Sequence, residues 1–208
     1  MPPALAETAV IAAAAYLLGS VSFAVLVSRA MGLPDPRSYG SRNPGATNVL
    51  RSGSRAAAAL TLAGDVGKGA LAVALAALYS GEAPAHGLEA PLAGAMALLG
   101  HLYPVYYGFR GGKGVATAAG VLLAVHWLLG LGTLATFAVI VAFFRLVSLA
   151  SMIAAVFAVF WSFLLFHDAP VTCLVGAMAL LVLWRHRENM LRLARGEESR
   201  LGQKKATP

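Results

Sequence analysis

The stretch GSRNPGATNVLR, residues 40–51, places glycines and polar side chains between two long apolar runs. Gly40 and Gly45 favour turns in which backbone N–H groups can approach a ligand, as in loops that bind phosphate. Arg42 and Arg51 add fixed positive charge, and the neutral hydrogen-bonding side chains are Ser41, Asn43, Thr47 and Asn48. The stretch predicts an anion site. The alternative is an ordinary solvated loop that its arginines hold near lipid headgroups.

The whole chain is too apolar for a soluble domain of its size. Of its 208 residues, 59% are hydrophobic and 12% are charged, and the mean hydropathy is +0.73. This composition predicts an all-α integral membrane protein. The net charge of +7 does not indicate nucleic-acid binding, because the basic residues stand at the ends of apolar segments.

Seven apolar segments approach the length of about 20 residues that a transmembrane helix needs. They cover residues 5–27, 56–79, 88–107, 115–129, 132–147, 149–166 and 170–184. If these helices alternate in direction, every Lys and Arg except Lys68 falls on one side, including Lys204 and Lys205 of the tail. The charged residues on the other side are all acidic: Glu7, Glu82, Glu89 and Asp168. By the positive-inside rule, the N-terminus is outside and the C-terminus is cytoplasmic. We expect a single transmembrane domain, residues 1–208, with a short basic cytoplasmic tail from about residue 185.

A second polar stretch, HLYPVYYGFRGGKGVAT at residues 101–117, falls in the next predicted cytoplasmic connection. Lys113 follows Gly111 and Gly112 where a helix is about to start. Its ammonium group and the N–H groups of the first helical turn can therefore converge on one phosphate. The P-loop pattern is not met, because Gly114 stands where that pattern needs Ser or Thr. The alternative is an interfacial lysine beside aromatic residues.

Asp65 and Lys68 are three residues apart within the second predicted helix, so their side chains share a face and can pair. Ionisable groups inside a span are candidates for function. A structural ion pair that positions the preceding loop is equally compatible with the spacing. We expect the pair to hold the substrate-contacting residues in place and not to contact substrate itself.

The last cluster, RHRENMLRLARGEE at residues 185–198, follows the seventh predicted helix. His186 and Asn189 share a helical face, and both side chains can hydrogen-bond a hydroxyl group or a phosphate oxygen. Lipid headgroups are the alternative partners of this basic cluster, above all of its arginines.

Several familiar catalytic patterns are missing from the sequence. There is no H-E-x-x-H or Cys/His spacing for a metal and no G-x-S-x-G turn for a nucleophilic serine. The sequence therefore predicts neither a metal nor a cofactor. The His-x4-Asp arrangement of acyl-CoA-dependent glycerolipid acyltransferases is also missing.

Four blocks of sequence together resemble the motifs of the bacterial acyl-phosphate:glycerol-3-phosphate acyltransferases, integral membrane enzymes of phospholipid synthesis. The blocks are GSRNPGATNVLR, DVGKG at residues 65–69, GHLYPVYYGFRGGKGVAT at residues 100–117 and RHRENMLRL at residues 185–193. The resemblance implies seven transmembrane helices in the bacterial inner membrane and an active site that faces the cytoplasm. The implied reaction transfers a fatty acyl group from acyl phosphate to the sn-1 hydroxyl of glycerol 3-phosphate, which gives lysophosphatidic acid and phosphate. The implied partners are these two substrates, membrane lipids and the soluble enzyme that makes acyl phosphate.

The resemblance also implies which residues form the active site. Carried over by motif, the catalytic residues are Ser41, Lys113, His186 and Asn189, and the substrate-binding residues are Arg51, Thr47, Asn48, Gly111 and Gly112. Two positions depart from the family pattern. Arg42 stands where the family usually has glycine, and Arg110 replaces a usual lysine.

The residues suit this chemistry without a covalent intermediate, because acyl phosphate is already activated. His186 is the best general base by residue type, and the alternative is that a substrate phosphate takes the hydroxyl proton. A rival function is a membrane transporter or channel for phosphate or a phosphorylated metabolite, which would use the same cationic clusters. Against it, the clusters are predicted at one membrane face, and Asp65 and Lys68 are the only charged residues within a predicted span.

Overall fold

The computed structural model describes residues 3–85, 87–166 and 169–202. Those residues form ten α-helices and contain no strand, so the all-α prediction is confirmed. The helices are α1 (Pro3–Gly19), α2 (Phe23–Ala30), α3 (Ala46–Val49), α4 (Arg55–Ser80), α5 (Glu89–Leu102), α6 (Val115–Val125), α7 (Trp127–Phe144), α8 (Val147–Phe166), α9 (Ala169–Arg185) and α10 (Arg187–Ala194). Short 3-10 turns lie at Leu50–Ser52 and Val105–Tyr107. Asp168, Lys204 and Lys205, which the topology prediction uses, lie outside the described residues.

Four helical segments of the described chain are long and apolar enough to cross a membrane. They are Leu5–Ala30, Arg55–Ser80, Trp127–Phe144 and Val147–Phe166. Other apolar helices are shorter: with 11 residues, α6 rises about 16 Å, against about 30 Å for the hydrocarbon core of a bilayer. The count of seven spans therefore stays a prediction.

Three predicted helix boundaries differ from the structure. The segment predicted as one helix over residues 5–27 is interrupted between α1 and α2. The third predicted helix ends at Leu102, because Pro104 restricts the residue before it. The boundary predicted near residue 130 lies at His126, whose extended backbone (φ −160°, ψ 126°) separates α6 from α7.

Contacts between residues divide the chain into two compact units, Met1–Gly130 and Leu131–Pro208. The first unit is held together by close approach of helices at glycines. A Cβ atom on Gly69 of α4 would overlap the Thr117 carbonyl oxygen of α6, and one on Gly120 of α6 would overlap the Val66 carbonyl oxygen of α4. Such close backbone contact is a main source of helix association in lipid.

The second unit packs α8 against α9 and ties the tail back to the connection between α7 and α8. The Leu201 N–H donates to the Arg145 carbonyl oxygen at 2.7 Å, and the Arg145 guanidinium donates to the Leu201 carbonyl oxygen at 3.0 Å. The tail is therefore fixed within its own unit. A single domain over residues 1–208 stays a prediction.

Candidate active site

Asn48 holds the first polar loop together. Its side chain is buried, with 2% exposure for the residue. The amide oxygen accepts the Ser41 N–H at 3.0 Å, and the amide nitrogen donates to the carbonyl oxygens of Pro36 at 2.7 Å and Tyr39 at 3.2 Å. Predicted as a substrate-binding residue, Asn48 is occupied within the loop, and its observed contacts position Ser41. Ser41 itself is exposed.

Two residues of this loop have a left-handed backbone. Gly40 has φ +61°, and a Cβ there would overlap the Asn48 side-chain oxygen and lie 3.2 Å from the Cδ atom of Arg51. Arg42 has φ +56°, a conformation that costs an L-residue roughly 1–2 kcal/mol. Arginine thus keeps the turn for which glycine is expected at this position. Thr47 is exposed on α3, and Arg51 is exposed in the 3-10 turn that follows it.

The second polar loop is packed against the first at Gly112. The Gly112 N–H donates to the His101 carbonyl oxygen at 3.1 Å. A Cβ on Gly112 would overlap the His101 ring and lie 3.0 Å from the Pro44 carbonyl oxygen, and a Cβ on Gly111 would overlap the His101 carbonyl oxygen. Only glycine fits these two positions. Because Pro44 belongs to the first loop, Gly112 marks the point where the two loops meet.

Lys113 follows the two glycines and is half-buried. The next residue, Gly114, has φ +80° and stands immediately before the first residue of α6. The left-handed glycine turns the chain into that helix, so Lys113 lies beside the amino-terminal turn of α6. Cation and helix amino terminus together favour an anion at this place.

The Arg37 side chain makes a further connection between the loops. Its guanidinium lies 5.5 Å from the centre of the Tyr107 ring and pairs with Asp35 at 2.6 Å. The hydrogen bond from Arg37 holds the pKa of the Asp35 carboxyl below its ordinary value. The structure therefore brings together the two predicted anion-binding stretches, residues 40–51 and 101–117.

Asp65 and Lys68 form a buried ion pair of 2.9 Å, with side-chain exposures of 3% and 1%. The Lys68 ammonium also donates to the Val21 carbonyl oxygen at 2.6 Å. Val21 lies in the interruption between α1 and α2, where a carbonyl lacks its helical partner. The charges of both side chains are therefore balanced within the fold, and their supporting role at the site stays a prediction.

His101 is a residue that the sequence analysis missed. It is 7% exposed, and its Nδ1 atom lies 3.2 Å from the Thr117 hydroxyl and 3.5 Å from the Asp65 carboxylate. The available signal was a polar ring in the last turn of an apolar helix, directly before the glycine-rich stretch. That signal alone does not distinguish a histidine beside a site from an ordinary interfacial one.

His186 and Asn189 belong to the second unit. His186 is 2% exposed, and its Nδ1 atom lies 2.8 Å from the Val182 carbonyl oxygen. A carbonyl oxygen only accepts, so Nδ1 carries the hydrogen, and Nε2 is the basic nitrogen of the neutral ring.

Asn189 is 4% exposed and donates to the Glu198 carboxylate at 2.6 Å. Arg192 donates to the other oxygen of that carboxylate at 2.8 Å. Burial alone would raise the pKa of Glu198, but the hydrogen bonds from Arg192 and Asn189 outweigh it and lower the pKa. The tail therefore fixes the orientation of the Asn189 amide.

The chemistry that these residues support is anion binding. The part of the chain that the structure describes holds no group of three or more His, Cys, Asp or Glu side chains suited to a metal ion. Arg51 and Lys113 supply positive charge near the loops, and backbone N–H groups of such loops can add to it.

Comparison with known proteins identifies the family. The family described as glycerol-3-phosphate acyltransferase matches residues 9–196. The protein named glycerol-3-phosphate acyltransferase of Burkholderia pseudomallei (strain 1710b) is 60% identical over 198 residues, which cover 93% of this chain and 95% of that protein. Its namesake from Ralstonia nicotianae is 58% identical over 201 residues, 95% of this chain and 96% of that protein. The chain belongs to the glycerol-3-phosphate acyltransferase family.

Solved structures of an acyltransferase share the fold. PlsY (YgiH), an integral membrane glycerol 3-phosphate acyltransferase, in its glycerol 3-phosphate form has a TM-score of 0.88 and 36% identity, covering 94% of this chain and 96% of that one. Its lysophosphatidic acid form has a TM-score of 0.86 and 35% identity over the same shares. The resemblance drawn from the four motifs is confirmed. This glycerol-3-phosphate acyltransferase family member is an all-helical, multi-pass integral membrane protein.

Proposed function

We propose that this chain transfers a fatty acyl group from acyl phosphate to the sn-1 hydroxyl of glycerol 3-phosphate, which gives lysophosphatidic acid and phosphate in bacterial phospholipid synthesis. The observation that carries the proposal is the meeting of two cationic, glycine-rich loops, where Gly112 lies against Pro44. Two loops suited to anions fit two substrates that each carry a phosphate. The relative PlsY is known in a glycerol 3-phosphate form and a lysophosphatidic acid form, the acceptor and the product of this reaction.

Binding is assigned to the cations and to the backbone of the loops. Arg51 and Lys113 each bind a substrate phosphate through charged hydrogen bonds. Gly111 and Gly112 let the phosphate bound by Lys113 approach the backbone closely. Since the Gly112 N–H is already donated to His101, this glycine contributes space and not a hydrogen bond. Ser41 and Thr47, both exposed neutral hydroxyls, orient the reacting groups.

The chemical step needs no enzyme-bound acyl group. The sn-1 hydroxyl oxygen attacks the carbonyl carbon of acyl phosphate, the new ester bond forms, and the bond between that carbon and the phosphate oxygen breaks. Catalysis then rests on holding two anions together and on stabilising the negative charge that develops. By motif, His186 and Asn189 take catalytic roles. The Nε2 atom of neutral His186 can accept the hydroxyl proton, and a substrate phosphate oxygen is the alternative acceptor.

The same proposal includes the topology. Seven helices cross the bacterial inner membrane with the N-terminus outside, the C-terminus and basic tail inside, and the active site facing the cytoplasm. The location of the Lys and Arg residues on one side supports this topology. The corrected boundary at His126 does not change it, because Arg145 still follows α7 on the side that carries the basic residues. In a chain whose Cys173 is replaced, Glu82→Cys should react with an impermeant thiol reagent outside intact cells, whereas Ser38→Cys should not. The opposite labelling pattern would overturn the topology.

Transport of phosphate or a phosphorylated metabolite is the alternative function. It needs polar groups along a path across the membrane. Within the four described apolar segments, the buried charged residues Asp65 and Lys68 are already paired with each other. This arrangement favours the acyltransferase.

The deciding experiment supplies purified protein with glycerol 3-phosphate and each of two acyl donors. We expect lysophosphatidic acid and inorganic phosphate from acyl phosphate, and little product from acyl-CoA. Acyl phosphate made in place by the soluble enzyme that supplies it should work equally well. A clear preference for acyl-CoA would refute the donor, and phosphate flux into liposomes without acyl transfer would favour the transporter.

A further inference from the structure

His101 contacts the glycine-rich loop with both its backbone and its ring. The carbonyl oxygen accepts the Gly112 N–H at 3.1 Å. The ring fills the space that a Gly112 side chain would need, and the carbonyl oxygen fills the space that a Gly111 side chain would need. Both glycines that precede Lys113 therefore lie in close contact with His101, which is the nearest neighbour of each.

The ring is fixed from the opposite side. Its Nδ1 atom lies 3.2 Å from the Thr117 hydroxyl of α6 and 3.5 Å from the Asp65 carboxylate of α4. Asp65 in turn pairs with Lys68 at 2.9 Å, and Lys68 donates to the Val21 carbonyl oxygen at 2.6 Å. One buried polar network thus connects the interruption between α1 and α2 with α4, α5 and α6.

We propose that His101 is a positioning residue for this acyltransferase: it holds Gly111 and Gly112, and through them Lys113, in the geometry that receives a substrate phosphate. The inference deepens the proposed function and rests on it for the role of Lys113. Thr117 and Asp65 act one step further away, by fixing the orientation of the imidazole.

The physical reason is the flexibility of the loop. Glycine has more backbone freedom to lose than any other residue, so a diglycine segment is not ordered by its own side chains. A mobile loop would lose conformational entropy when it binds a substrate phosphate, and this loss would weaken binding. A loop that His101 already holds in place loses little conformational entropy on binding. Misplacement by about 1 Å can lower a rate about 100-fold. An imidazole packed on the glycines removes both penalties.

The kinetic test compares four single variants. His101→Leu keeps a side chain of similar bulk but loses both ring nitrogens, and His101→Asn keeps a polar atom near the Nδ1 position. Thr117→Val removes the hydroxyl partner of the ring at nearly constant shape. Thr61→Val is the matched control, because its buried hydroxyl has no hydrogen-bond partner in the described chain and lies one turn before Asp65 on α4.

We expect His101→Leu to raise the KM for at least one phosphate-bearing substrate about tenfold or more, with a smaller fall in kcat. Thr117→Val should change the same KM in the same direction by less, His101→Asn should restore most of it, and Thr61→Val should match the wild type. Wild-type KM values in both His101→Leu and Thr117→Val would overturn the proposal. So would a loss of kcat alone that His101→Asn does not restore.

The structural test needs no substrate. Amide hydrogen exchange over residues 108–114 should be faster in His101→Leu and in Thr117→Val than in the wild type, while exchange in α8 stays unchanged in each. Unchanged exchange over residues 108–114 in both variants would overturn the positioning role. If His101→Leu does not fold, Thr117→Val decides both tests. The exchange experiment tests His101 without any substrate, so its result holds even if the wild type acylates glycerol 3-phosphate with neither donor. The wild-type activity assay tests the proposed function separately.

Discussion

The side-chain oxygen of Asn48 accepts the backbone N–H of Ser41 at 3.0 Å, seven residues earlier in the chain. The nitrogen of the same amide donates to the Pro36 and Tyr39 carbonyl oxygens. One buried side chain therefore bonds three backbone groups of a loop that otherwise has only short turns, with the Ser38 N–H bonded to Asp35 and the Arg42 N–H to Tyr39. The loop keeps its shape, and Ser41 its position, through this amide.

Asn48→Ala should therefore lower both stability and activity. The buried Pro36 carbonyl oxygen loses its donor, which costs about 1–3 kcal/mol, and Ser41 loses its fixed position, so we expect at least a tenfold fall in acyl transfer. Ser38→Ala is the matched control, since it removes an exposed side-chain hydrogen bond from the same loop. Thermal unfolding in detergent and the acyl-transfer assay measure the two effects. A stable, fully active Asn48→Ala would show that the loop is held by other contacts.

Arg42→Gly should stabilise the protein relative to Arg42→Ala. Both variants lose the same charge, but only glycine adopts φ +56° without the steric cost of about 1–2 kcal/mol that an L-residue carries there. Part of this gain is offset because glycine also has more freedom in the unfolded chain. The thermal unfolding midpoint of the glycine variant should be the higher of the two. Equal midpoints would mean that the turn relaxes to another conformation.

Glu198→Gln should weaken the protein in a pH-dependent way. The folded-state pKa of Glu198 lies below its ordinary value of 4.5, so its carboxylate stabilises the fold above that pH, and the stabilisation is lost as the pH falls through the lower folded-state pKa. The difference in unfolding midpoint between wild type and variant should be largest near neutral pH and shrink in acid. Glu197→Gln, a change of the same charge at an exposed neighbour, should have a small effect at neutral pH. A difference that grows in acid would contradict the assignment.

The long apolar helices and the polar loops between them were predictable from the sequence, because bilayer crossing and phosphate binding impose strong composition rules. The boundary at His126 was not. The predicted segments leave a gap between residues 129 and 132, but Gly130 and Gly132 lie inside α7, where each brings a neighbour close: Gly130 packs on Leu123 and Gly132 on Trp161. Within a membrane helix, glycine lets neighbouring helices and side chains approach closely and need not end the helix.

Contacts between distant parts of the chain could not be predicted from the sequence either. The interruption between α1 and α2 is stabilised by Lys68, 47 residues away from the Val21 carbonyl that it binds. The Asn48 amide makes three hydrogen bonds inside the loop that its place in the motif does not predict, and its assignment as a substrate-binding residue stays a prediction. Periodicity and motif show which residues are polar in an apolar setting, but only the fold shows which partner satisfies each of them.

Arg51→Ala and Lys113→Ala should weaken acyl transfer without unfolding the protein. In the proposed roles, each variant removes a charged hydrogen bond to a substrate phosphate, worth roughly 1.5–3 kcal/mol, or one to two powers of ten in kcat/KM. Raising the substrate concentration should recover part of the rate if the contact acts mainly in ground-state binding. Arg55→Ala, which removes an exposed charge at the start of α4, is the control and should keep its activity.

Lys68→Ala should behave in the opposite way. Removing one partner of a buried ion pair costs about 3–5 kcal/mol, and the Val21 carbonyl loses its donor as well. We expect a lower yield of folded protein and a lower unfolding midpoint, with the surviving folded fraction retaining a substantial rate per molecule. Kinetics and detergent stability measured side by side separate the two classes. A Lys113→Ala variant with full activity, or a Lys68→Ala variant that is stable yet inactive, would reverse the roles assigned to these two lysines.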